Sequence, residues 1–81
     1  MERRLGVIAI LVYSKEAIQS LNSILSNFSE IILGRMGLPL KEKNLHIISL
    51  IVEGDTDQIG SLTGKIGKLS GIKVKSMFTK D

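Results

Sequence analysis

Leu5–Tyr13 reads LGVIAILVY and Leu45–Glu53 reads LHIISLIVE, and the reading of these two stretches decides the fold. Each is the length of one strand and rich in β-branched residues, with turn-forming or polar sequence beyond it. Neither alternates. An unbroken apolar run of this kind predicts a strand with apolar contacts on both faces, as in the middle of a sheet.

Ser14 follows the first run as a helix N-cap, with Glu16 in the first turn near the positive end of the helix dipole. Ile18, Leu21, Leu25 and Phe28 recur at spacings of three and four, which predicts an amphipathic helix running to about Phe28. Ser29–Leu38 reads as a strand, with Gly34 and Gly37 suggesting a bulge. Pro39–Asn44 is a charged turn. After the second run, Gly54–Asp57 is a turn in which Asp55 or Thr56 caps a second helix. Ile59, Leu62, Ile66 and Leu69 form its apolar face, and Gly71 is placed just beyond its end. In Ile72–Thr79 the apolar residues Ile72, Val74 and Phe78 alternate with Lys73, Lys75 and Thr79, as expected of an edge strand.

The order is β-α-β-β-α-β. Right-handed crossovers then place the first and third strands in the centre. The expected fold is α+β: a ferredoxin-like βαββαβ sandwich with antiparallel sheet order 4-1-3-2 and two helices on one face. The 81 residues form one domain, 1–81, in this reading.

Composition narrows the function. The chain has no cysteine, hence no disulfide, zinc-thiolate or iron–sulfur framework. His46 is the only histidine and sits within a strand, where a structural role is expected. Asp55 and Asp57 are explained by capping. No Ser/His/Asp set or phosphate-binding loop is visible, so the reading is a non-enzyme with no cofactor and no metal. The net charge of +3 is read as a solvated lysine-rich surface, with no direct nucleic-acid binding. RNA recognition on this topology would need aromatics on the central strands, and Tyr13 stands only at a strand end. Arg3 and Arg4 precede an apolar run, yet Lys15-Glu16 follows it with no small-x-small cleavage site. No membrane association and a cytoplasmic location are expected.

Two anomalies remain. If both helices cover one sheet face, the other is left apolar, because Leu5, Val7, Ala9 and Leu11 oppose Ile8, Ile10 and Val12. Leu45, Ile47 and Ile51 likewise oppose Ile48, Leu50 and Val52. The sequence leaves open which set meets the helices. A large exposed apolar patch is unusual in a monomer, so a homodimer or homotetramer is expected. The second anomaly is Gly60, Gly64 and Gly67 inside the second helix, each costing about 1 kcal/mol relative to alanine. They share a stripe away from the apolar face, as if a ligand or partner came close. Arg35, beside Gly34 and Gly37, is read as an anion holder or half of a surface ion pair. The ligand or interface candidates are therefore Arg35, Met36, Gly37, Gly60, Gly64 and Gly67.

Three stretches carry a family resemblance: Phe28–Glu30, Gly34–Pro39 and Ile59–Lys75. On them the chain resembles the small ACT-like proteins named as regulators of the iron-only hydrogenase system. The resemblance implies an ACT-like fold and a stand-alone oligomeric regulatory module binding an unknown small ligand. A ligand-free accessory protein docking on a hydrogenase maturation enzyme is the alternative. More distantly, Ile66–Lys73 is similar to the C-terminal regulatory domain of nickel-responsive repressors, which implies tetramer formation. That family's nickel-binding positions correspond here to Gly37, Pro39 and Leu45, so nickel sensing is not expected. No counterpart of their DNA-binding domain is expected, and regulation is expected to run through another protein or a small ligand.

Overall fold

In the computed structural model, which describes residues 3–79, the two apolar runs lie side by side in the centre of a four-stranded antiparallel sheet. The elements are β1 (Arg4–Val12), α1 (Lys15–Asn27), β2 (Ile32–Leu40), β3 (Leu45–Gly54), α2 (Thr56–Gly67) and β4 (Ile72–Phe78). The sheet order β2-β3-β1-β4 is the expected 4-1-3-2 read from the other edge.

Strand parity is the main result. Ile8, Ile10 and Val12 of β1 are buried, as are Ile48, Leu50 and Val52 of β3. They pack with Leu21 and Leu25 of α1 and Leu62 and Ile66 of α2 in a single core. The pairs Ile8↔Leu50 and Ile10↔Ile48 put even-numbered residues of both strands on the helix side. The odd-numbered set faces away: Leu5, Val7 and Ile51 are 45%, 42% and 41% exposed.

Caps set the helix starts. Ser14 Oγ accepts from the Ala17 N–H at 3.2 Å. Asp55 accepts from Gln58 N–H at 2.8 Å, and the Gln58 side chain accepts from Asp55 N–H at 3.0 Å, a complete capping box. Of the two residues proposed for this cap, Asp55 has the role and Thr56 opens the helix.

Three boundaries move. Ser29–Ile31 is a 3-10 turn and not strand, so that Ile31 can enter the core before β2 begins. β2 then runs through Pro39 and Leu40. Proline is tolerated there because β2 is an edge strand with one row of N–H groups unpaired. The bulge is real and lies at Leu33, between Ile32 and Gly34 in the register with β3. α2 ends at Gly67, making that glycine terminal and not interior.

Gly71 is accordingly not the first residue past the helix but a pivot into β4. Its φ is +76°, and a Cβ there would lie 2.9 Å from Ser14 Cβ. Its carbonyl accepts from Tyr13 N–H at 2.7 Å, tying the start of β4 to the β1–α1 junction.

Gly71→Ala should lose about 1–2 kcal/mol from backbone strain, with more from the contact with Ser14. Leu50→Ala should lose about 2–5 kcal/mol as a buried truncation. Urea unfolding monitored by circular dichroism measures both.

Candidate functional site

β1 and β3 are antiparallel, so the end of β1 and the start of β3 share one end of the sheet, where Val12 pairs with His46. The chain leaves β1 through Tyr13 and Ser14 into α1. It enters β3 from a 3-10 turn, Lys41–Lys43, and from Asn44, whose φ of 55° reverses the backbone. Between these connections opens a cleft of about 770 Å³. One wall is Val12, Tyr13, Ser14, Lys15, Glu16 and Ile18; the other is Pro39, Leu40, Lys41, Asn44, Leu45 and His46.

The lining is mixed. Val12, Ile18, Pro39, Leu40 and Leu45 are apolar, while Lys15, Lys41, Glu16 and His46 contribute polar or charged groups. Glu16 accepts from the Ser14 hydroxyl at 3.2 Å. Tyr13 is half exposed, and Lys73 Nζ lies 5.8 Å from its ring centroid, within cation–π range. Such a cleft can hold a small molecule with an apolar body and a charged group. Among the described residues, no group of three or more histidine, cysteine or acidic side chains is placed to hold a metal ion.

The expected site residues are not gathered into one place. Arg35, on the helix side of β2, donates from Nη2 to Asn22 Oδ1 of α1 at 2.7 Å. Its partner is thus an amide, not the carboxylate of an ion pair. It lines a separate, shallower hollow of about 300 Å³ with Asn22, Leu25, Ser26, Ser29 and Ile32. Met36 points from the opposite side of the sheet and is 72% exposed. Gly37 touches the larger cleft indirectly, since a Cβ there would stand 3.3 Å from His46 Nε2. Gly60 and Gly64 face open space on α2, with nothing within 4 Å of a Cβ at either position. Gly67 is different: a Cβ there would make ordinary contact with Val74 at 3.9 Å.

Tyr13, Lys15 and Lys41 were not among the expected site residues. The signal was available in the predicted order: antiparallel central strands bring the β1–α1 and β2–β3 connections to the same sheet end.

With two helices on one face of a β2-β3-β1-β4 sheet, the fold is ACT-like. The chain superposes on the ACT domain of the GTP pyrophosphokinase of Chlorobium tepidum with a TM-score of 0.77. That match has 19% identity and covers 94% of this chain and 100% of the other. The C-terminal domain of the MgtC protein from Mycobacterium tuberculosis shares the fold at a TM-score of 0.72 and 7% identity, covering 94% and 87% of the two chains.

Residues 4–76 match the TM1266-like family, described as "Iron-only hydrogenase system regulator, putative", and the chain belongs to that family. The solved structure of the uncharacterized protein TM1266 from Thermotoga maritima is 42% identical, with a TM-score of 0.93. The match covers 98% of this chain and 100% of that one. No curated protein sequence matches it.

Gly60→Ala and Gly64→Ala should each stabilise the isolated protein by about 0.4–1 kcal/mol, because the space is open and the backbone helical. Thermal unfolding measures this. A loss of stability at either position would mean that something packs on the stripe in solution.

Proposed function

We propose that this protein is a cytoplasmic regulatory module without catalytic activity, which binds a small ligand in the cleft between the β1–α1 and β2–β3 connections. The cleft is the observation that carries this reading. Its volume of about 770 Å³ falls within the usual range for small-molecule sites. Apolar walls with Lys15, Lys41 and His46 among the lining groups suit a small molecule that joins an apolar body to an acidic group. The family description as a regulator and the ACT-like fold support a sensing role over a catalytic one.

Occupancy of this cleft would be felt at three places. Tyr13 is bonded to Gly71 and so to the start of β4. Ser14 caps α1. His46 sits against Gly37 of β2. A ligand binding more tightly to one arrangement of these elements would shift the population toward it, and a partner protein could read the difference.

Native mass spectrometry of protein purified gently from its host tests the reading, with thermal shift against small carboxylates and phosphates as the second arm. The expected result is an added small mass, or a ligand that raises the melting temperature in the wild type and not in Tyr13→Ala or His46→Ala. At about 100-fold excess over its dissociation constant, a ligand stabilises by about 2.7 kcal/mol, roughly 10 °C or more for a chain this short. No added mass, and no shift with any ligand class, would overturn it in favour of a ligand-free accessory protein.

A further inference from the structure

Among the described residues, none covers the face of the sheet away from the helices. In register, β2, β3, β1 and β4 contribute Gly34, Ile51, Val7 and Met77 to one row across it. The next row is Met36, Ser49, Ala9 and Lys75, and the next is Leu38, Ile47, Leu11 and Lys73. Met36 and Met77 are 72% and 78% exposed. Apolar side chains therefore run across the face from β2 to β1, and the cationic groups of these rows stand on β4 alone.

We propose that this face pairs with the same face of a second copy of the chain. Three observations favour that occupant. The first is apolar exposure. Leu5, Val7, Met36, Leu38, Ile51 and Met77, all on this face, are 41–78% exposed, a run of large apolar side chains that monomers rarely leave in water.

The second is charge. A two-fold axis parallel to the strands lays β4 of each copy over β2 of the other. Lys73 and Lys75 then rest their aliphatic stems on the partner copy's apolar edge and keep their ammonium groups in water at the rim. A two-fold axis across the strands would instead set lysines against lysines.

The third is shape. Ala9 and Ser49, small and directly paired, occupy the middle of the face and let the sheets approach to ordinary packing distance. Nucleic acid is the poorer occupant, because the odd-numbered residues of β1 and β3 offer no aromatic side chain on which a base could stack.

Sedimentation equilibrium of the full chain, alone and across a range of micromolar concentrations, tests the pairing. The wild type should have at least twice the chain mass. The Val7→Lys, Ile51→Lys and Leu38→Lys variants should each shift toward the monomer at least tenfold in dissociation constant, with unchanged far-ultraviolet circular dichroism. Leu38 is 55% exposed on an edge strand, so its variant keeps the test valid if a central one fails to fold. In Met36→Cys/Lys75→Cys protein, a short bis-maleimide should join the two positions between copies. A monomeric wild type at every concentration would overturn the proposal. So would a folded variant that keeps the wild-type dissociation constant, or a crosslink joining only like positions.

Discussion

From Arg4 opposite Gly54 to Val12 opposite His46, β1 and β3 are paired without a break, and the rest of the molecule takes its position from that ladder. The two strands come from opposite halves of the chain. Their pairing closes a loop containing α1, β2 and the β2–β3 connection. β2 then has only the free edge of β3, and β4 only the free edge of β1. The helices pack on one side because both crossovers return on that side. The core is the even-numbered residues of the central strands under Leu21, Leu25, Leu62 and Ile66.

The same ladder makes the two surface features. One is the cleft, which exists because the ends of β1 and β3 coincide and their connections diverge around the gap. The other is the open apolar face, which exists because both central strands are apolar at odd positions as well as even ones. The two features adjoin. The cleft lies at one end of the sheet, beside the N-terminus of α1, and the face lies across its back; Tyr13 in the cleft wall lies against Lys73 on the face. A regulatory module of the proposed kind would thus have neighbouring surfaces for ligand and self-association.

Much of the fold was legible in the residues. The unbroken runs marked the central strands, Ser14 and the pair Asp55 or Thr56 marked the helix starts, and the lysine alternation marked β4 as an edge. The glycines of β2 announced the bulge at Leu33. Boundaries were legible where a side chain makes the boundary, as a cap does. They failed where the boundary depends on a distant contact, as in Ser29–Ile31, which turns so that Ile31 can reach the core. The candidate site was less legible. Arg35 and Gly37 drew attention as unusual residues, yet they lie in different environments, and of the glycines of α2 Gly60 and Gly64 face open space while Gly67 stands near Val74.

The number, type and order of the helices and strands follow from the residues alone, because periodicity and capping are local properties of the chain. The residues also determined that some apolar surface would stay outside the core, since both parities of the central strands are apolar and helices can cover only one side. Only the tertiary structure decided which parity goes inward. Side chains alternate with a period of two, so the choice depends on the side to which the crossovers return and on the register with β3, and neither is written in the composition of the runs. Only the tertiary structure, likewise, assembled the cleft, because Tyr13 and His46 become neighbours solely through the pairing of strands that the chain makes far apart.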